Sequence, residues 1–240
     1  IILAGILREC KRRKISTKDS KEINLIYFLD LVALATVCDI VPLLGINRAF
    51  VKQGLKVLSK RKNLGLKALC DVGKLNQQPT THSLGYIIGP RINAGGRLGN
   101  SDIGVKLLSE NDEEVANGLA LKLDDLNSNR KNIEKDVLLN AEELAYSKIG
   151  ENPNLPLLVL TGKNWHEGVI GIVAGRIKDK FNKPTIVITL NDKKIGKGSG
   201  RGVNNFSLGD NIILAKQLGL IISGGGHDMA IGLQIEEKKI

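Results

Sequence analysis

Between Asn111 and Ile149 the sequence holds no proline, and Val115, Leu119, Leu123, Leu126, Ile133, Val137, Ala141 and Leu144 recur at spacings of 3, 4 or 7. That period marks one face of an α-helix. Asn111 can cap it, and Glu114 stands three residues on, close to a capping box. At ~1.5 Å per residue the helix would run roughly 55–60 Å, well beyond the width of a small domain. It suits a connector between two lobes. The alternative is a pair of shorter helices broken near Gly118.

The two flanks of this segment differ. Upstream, residues 1–15 and 22–38 read as helices. The second, EINLIYFLDLVALATVCD, is apolar on nearly every side and is expected to be buried. It ends at Asp39, and Pro42 and Gly45 then break the chain. Helical spacing resumes over 46–60 with Phe50, Leu55 and Leu58. The Gly- and Asn-rich stretch from Gly85 to Asn100 reads as a functional loop. Downstream of Pro153 and Pro156, LPLLVLTG and PTIVITL are short buried strands with the helix GVIGIVAGRIKDKF between them. A Gly-rich loop at GSGRG, a helix near 208–217, and a Gly-rich turn into the strand MAIGLQIE complete the chain. The expected fold class is α/β, with a mostly helical first part, a long connecting helix and a final α/β lobe. Expected boundaries are 1–110, 111–150 and 151–240.

The chain carries a net charge of +10, yet residues 112–150 carry −4, so the remainder carries +14. A basic body joined through an acidic helix makes a polyanion partner plausible, nucleic acid above all. The same excess of lysine is also what a solvated surface would show. Three cysteines, Cys10, Cys38 and Cys70, form no CxxC pair, which fits a reduced, cytoplasmic setting. No apolar run approaches the ~20 residues that span a bilayer. The chain starts with Ile and its single Met is Met229, so residue 1 is read as lying inside a longer protein.

Five places could carry chemistry. Asp39 follows a helix expected to be buried, where a carboxylate needs a cation or several donors; it is a metal-ligand candidate, or a partner of Arg48 or Lys52. GPRINAGGRLGN places Arg91 and Arg97 six apart among glycines, with Asn93 between them. Arginine forks match phosphate oxygens, so this reads as a phosphate cradle or as a set of structural ion pairs. NWHEGVIGIVAGR sets the only Trp, Trp165, and His166 at a helix N-terminus that favours an anion, with Arg176 further along. Trp165 either packs at the strand end or stacks on a base, and His166 either caps the helix or binds. KGSGRG alternates Lys197, Ser199 and Arg201 with glycine; it lacks Walker A spacing but can form a phosphate nest, or a plain hairpin turn. SGGGH places three glycines before His227.

These segments, in this order, resemble the RecJ family of DHH phosphoesterases. DLVALATVCDIVPLLGINRAFVKQGL is similar to the family's fourth motif, and Asp39 matches its metal-binding Asp, with Cys38 where Ala is frequent. IGPRINAGGR, LNSNRKNIE, WHEGVIGIVAGRI, KGSGRG and GGGHDMAIG follow. The resemblance implies a single-stranded-DNA-specific 5′→3′ exonuclease of DNA repair and recombination. It implies a DHH lobe holding two Mn²⁺ or Mg²⁺ ions, a long connecting helix, and a DHH-associated lobe that binds DNA. By the same resemblance Asp39 ligates metal, and Arg97, Ser199, Arg201 and His227 contact the 5′-phosphate or nearby backbone. Arg91, Asn93, His166 and Arg176 stand in second rank. A monomer is implied, together with single-strand-binding protein and a RecQ-type helicase as partners. The family's Asp-x-Asp, second-motif Asp and Asp-His-His elements do not occur in these residues, nor does its OB-like domain, so the chain alone is expected to be inactive. The rival readings are a smaller DHH phosphodiesterase acting on short oligonucleotides or cyclic dinucleotides, a non-catalytic nucleic-acid module, and a RecJ-like scaffold that has lost activity.

Overall fold

The computed structural model describes residues 2–15 and 23–240. Two compact units emerge, one taking in the described residues up to Asn93 with Asp102–Asp124, the other Ala94–Ser101 with Asp125–Ile240.

The first unit is helical: α1 (Ile2–Arg12), α2 (Leu29–Cys38), α3 (Gly45–Leu58), α4 (Leu64–Val72), the start of α5 (Gly89–Leu98), α6 (Asp102–Leu108) and the first part of α7 (Glu113–Glu151). Residues 1 and 22 of the two expected N-terminal helices lie outside the described residues. The expected apolar helix is a 3₁₀ turn, Leu25–Phe28, followed by α2. Its complete burial is not observed. Asp30, Ala33 and Leu34 are buried, while Ile26, Tyr27, Phe28 and Val32 are exposed. The covered side is the one that meets α3: a Cβ at Gly54 would lie 2.1 Å from the Leu29 carbonyl oxygen and 2.6 Å from the Ala33 Cβ. Only glycine allows the two helices to approach so closely.

The stretch expected to be a loop, Gly85–Asn100, is instead a π-helical turn, Ser83–Ile88, running into α5. Gly89 sits there because a Cβ would meet the Cys38 Sγ at 2.4 Å. The glycines of this stretch therefore serve helix packing, and the helix engages backbone N–H groups that a phosphate-binding loop would leave free.

α7 is one unbroken helix of 39 residues, with no break at Gly118. Its cap is Asp112, whose Oδ1 accepts from the Val115 N–H at 3.0 Å, one residue after the expected Asn111. Its buried seam runs through Ala116, Ala120, Leu123, Asn127, Glu134, Val137, Ala141 and Ala145. Val115 and Leu144, expected on that face, are exposed. Alanines occupy the seam, and small residues carry little weight in a hydrophobic pattern.

The second unit is a five-stranded sheet in the order β1 (Leu158–Lys163), β2 (Thr185–Leu190), β3 (Ile195–Arg201), β5 (Ala230–Glu236), β4 (Ser223–His227). β1 and β2 are parallel, joined through α8 (Glu167–Phe181); the other pairs are antiparallel. On one face, α8 and residues 137–145 of α7 bury Leu158, Leu160 and Val187. On the other, α9 (Leu208–Gln217) covers Ile186, Ile188, Ile231, Leu233 and Ile235. β3 and β4 occupy segments expected to be a loop and a turn. In β3 the glycines face a core that has no room for a side chain. A Cβ at Gly196, Gly198 or Gly200 would lie 2.7, 2.9 or 2.7 Å from Ile188, Leu233 or Ile231. Among the described residues no helix is long and apolar enough to cross a membrane.

Candidate nucleic-acid interface

Strand alternation puts Lys197, Ser199 and Arg201 on the face of β3 opposite its core-facing glycines. The register continues across the sheet in three rungs: Lys197–Gln234–Ser223, Ser199–Gly232–Gly225 and Arg201–Ala230–His227. Glycine and short side chains dominate β4 and β5 here, leaving an open trough. Its wall is α8, whose Gly168, Gly171 and Gly175 fall on one helical side. A Cβ at Gly168 would lie 2.4 Å from the Arg97 carbonyl oxygen, and one at Gly171 would lie 3.0 Å from both Arg201 Nη2 and Ser199 Oγ. The result is a groove of about 760 Å³ lined by Arg97, Glu167, Lys197, Ser199, Arg201 and Gln234, with glycines from β3, β4, β5 and α8.

Its charges are unequally satisfied. Lys197 is paired with Glu167 at 2.8 Å. Arg201 donates from Nη1 to Ser199 Oγ at 3.1 Å and to the Gly200 carbonyl oxygen at 2.8 Å. Arg97 donates from Nη1 to the Gly168 carbonyl oxygen at 2.9 Å. Among the described residues neither arginine has a carboxylate within ion-pair distance. Burial draws both guanidinium pKa values below the ordinary range, and Arg97 is lowered further by Arg130 and Arg201 nearby. Two partly desolvated guanidinium groups, beside a hydroxyl and a glycine floor, present the kind of hydrogen-bond donors that match phosphate oxygens.

The other sequence candidates divide. His227 shares the rung of Arg201 but is exposed and does not line the groove. His166 caps α8, its Nδ1 accepting from the Gly168 N–H at 3.0 Å. Trp165 is buried in the α8 core, packed at the strand end. Arg176 is 59% exposed and paired with Glu134 at 2.6 Å. Arg91, in the first unit, is paired with Asp124 at 2.8 Å and donates to the Ile87 carbonyl oxygen at 2.7 Å. That is the structural use of the GPRINAGGR arginine; Arg97 alone of the pair reaches the groove.

Three residues of the LNSNRKNIE segment, Asn127, Arg130 and Glu134, at i, i+3 and i+7 on α7, carry no individual role in the sequence reading. Asn127 and Glu134 are buried at 1% and 3% exposure. Polar residues in register with an apolar seam are the signal that could have found them.

Asp39 is exposed, so the desolvation argument for it does not hold, and among the described residues it forms no ion pair with Arg48 or Lys52. It shares a cavity of about 300 Å³ with Asn93 and Cys38, lined mainly by Leu31, Leu34, Ala35, Ile92 and Leu108. Burial, reinforced by the Asp39 charge, raises the Cys38 thiol pKa. One carboxylate and one amide do not meet the oxygen demand of Mg²⁺ or Mn²⁺, and no cluster of three metal-ligating side chains occurs among the described residues. The residues present do not by themselves fit a divalent ion.

Residues 154–240 match the DHHA1 domain family. Over 220 residues the chain is 41% identical to the single-stranded-DNA-specific exonuclease RecJ of Haemophilus influenzae, covering 90% of this chain and 38% of that protein. The chain thus spans about two fifths of the length of that relative. Among solved structures it is similar to RecJ from Thermus thermophilus in complex with Mg²⁺, with a TM-score of 0.79 and 28% identity over 95% of this chain and 34% of that one. The Mn²⁺ complex gives a TM-score of 0.80 at the same identity and the same coverage of this chain, and 32% of that one. The order of motifs, the α/β class and the long helix all agree with this similarity.

Proposed function

We propose that this chain, a stretch of RecJ-like sequence that ends in a DHHA1 domain, supplies the DNA-gripping part of a single-stranded-DNA-specific 5′→3′ exonuclease. The observation that carries the reading is the pair Arg97 and Arg201, with Ser199, over a glycine floor and without a carboxylate partner among the described residues. A terminal phosphate offers such a pair more negative charge and more acceptor oxygens than an internal one, so the groove would select a 5′-phosphate end and set polarity. His227, on the Arg201 rung, would reach the adjoining backbone. Residues 1–110 belong to the DHH lobe in this reading, 111–150 to the connecting helix and 151–240 to the DHH-associated lobe, which the match over 154–240 supports. The intact protein would hold two Mn²⁺ or Mg²⁺ ions, as the metal complexes of the Thermus relative suggest. Asp39 would be one ligand, completed by residues beyond these.

The complete protein with Mn²⁺ should release mononucleotides from the 5′ end of a single strand and leave blunt duplex intact. Asp39→Ala should abolish release while leaving DNA affinity in chelator within about twofold. Tight DNA binding with no metal-dependent release would instead make the protein a non-catalytic nucleic-acid module. Preference for dinucleotides would make it a short-oligonucleotide phosphodiesterase.

A further inference from the structure

Behind the groove lies a buried ionic group that phosphate binding as described above does not use. Glu134, 4% exposed at its side chain, receives two guanidinium groups: Arg130 Nη1 on Oε2, and Arg176 Nη2 on Oε1 at 2.6 Å. Arg130 is itself 12% exposed and donates from Nη2 to Asn127 Oδ1 at 3.2 Å. A carboxylate in the seam of α7 between Leu123 and Val137 would be costly alone; two guanidinium partners offset that cost.

We propose that Glu134 is a positioning residue for the phosphate groove: by binding Arg130 and Arg176 it fixes α8 against α7 and leaves Arg97 and Arg201 free for the phosphate. The inference rests on the groove being the phosphate site. The chain of contacts is continuous. Arg176 belongs to α8, the helix whose Gly168 touches the Arg97 carbonyl and whose Gly171 lies against Arg201 and Ser199. Arg97 feels repulsion from Arg130 and Arg201 and attraction from Glu134. Arg130 and Arg176 thus share one buried carboxylate, and Arg97 lies within reach of its field. Without it Arg130 and Arg176 would lose the anchor that ties α8 to α7.

Two physical pictures give opposite signs. If Glu134 is only background negative charge, its neutralisation should tighten phosphate binding. If it positions, neutralisation should weaken binding to the phosphate end. The complete protein in EDTA is titrated with single strands ending in 5′-phosphate or 5′-hydroxyl, across a salt series, alongside a thermal melt. Glu134→Gln should lower the preference for the phosphate end by about tenfold, the scale of one charge-assisted hydrogen bond, with an unchanged salt slope for the hydroxyl end. Glu134→Asp keeps the charge but is one methylene too short to hold both arginines, and should lose most of the preference too. Arg176→Gln, at a position 59% exposed and so least able to unfold the chain, should shift the preference the same way by a few-fold.

The inference is overturned if Glu134→Gln binds the phosphate end as well as or better than wild type, or if Glu134→Asp matches wild type. It is also overturned if both ends weaken equally with a lowered melting temperature, which is a purely structural role. A wild-type protein that does not distinguish the two ends removes the groove reading itself, and this inference with it. A retained wild-type preference with an indifferent Glu134→Gln removes the inference alone.

Discussion

Gly171→Ala separates binding from stability within one substitution. Gly171 lies inside α8, where glycine costs about 1 kcal/mol relative to alanine. The new methyl would stand 3.0 Å from Arg201 Nη2 and 3.0 Å from Ser199 Oγ, a few tenths of an ångström inside ordinary contact. Both neighbours are ends of side chains facing open groove, so they can give way at small cost. The fold should therefore hold or gain: a melting temperature unchanged or raised by up to about 2–4 °C for a chain of this size. Binding should move the other way. Displacing the Arg201 fork and the Ser199 hydroxyl removes one or more charge-assisted hydrogen bonds to phosphate, about 1.5–3 kcal/mol, or roughly ten- to hundredfold in affinity. The melt can be followed by fluorescence of the only tryptophan, Trp165, and binding by anisotropy with a 5′-phosphorylated single strand. A variant at least as stable as wild type that binds the phosphate end with full affinity would refute the claim that a methyl here displaces Arg201 and Ser199 from the phosphate. A strongly destabilised variant would refute the claim that the neighbours can yield.

Two further outcomes follow from the core. Gly162→Ala places a methyl 2.1 Å from Trp165 Cε2, against a ring that is 8% exposed. Overpacking there should cost about 1–3 kcal/mol, read as a lower urea midpoint by Trp165 emission; an unchanged midpoint would mean that the ring can move. Asp30 is 3% exposed, its carboxylate accepts from the Leu31 N–H at 2.8 Å, and burial raises its pKa above the ordinary 3.8. The folded state thus binds this proton more tightly than the unfolded one. The associated stability is present below pH 3.8 and is lost as pH rises through the folded-state value. Asp30→Asn should match wild type in acid and exceed it near neutral pH in chemical denaturation. A gap that instead widens toward acid would reverse the sign and refute the burial argument.

Much of this protein is legible in its sequence because its elements obey their periods. β1, β2, α8 and α9 stand close to where β-branched runs and helical spacing place them, and the proline-free run after Asp112 is one helix. Glycine misleads where it serves packing instead of turning the chain. KGSGRG reads as a loop by composition, yet it is a period-2 strand in which glycine occupies the core side because Ile188, Leu233 and Ile231 fill that space. The same holds for GPRINAGGR, where Gly89 makes room for Cys38. At the site, the arginine and serine of β3 and Arg97 converge as their chemistry suggests. His166 caps α8 and Trp165 lies in the core. The apolar window before Asp39 implies a burial that α2, covered on one side, does not provide. Glu134 ends the LNSNRKNIE motif, but its burial is not legible there, because a lone glutamate in an acidic helix looks like solvated surface until the seam is known.

The central claim is that the Arg97–Ser199–Arg201 groove recognises a terminal phosphate. Its most direct test is anisotropy of the protein, in chelator, with single strands ending in 5′-phosphate or 5′-hydroxyl, for wild type and Arg201→Ala over a range of salt. Wild type should bind the phosphate end about tenfold or more tightly, and Arg201→Ala should reduce that preference to near unity. Equal affinity for the two ends in wild type, with only the salt slope of generic backbone contacts, would contradict it.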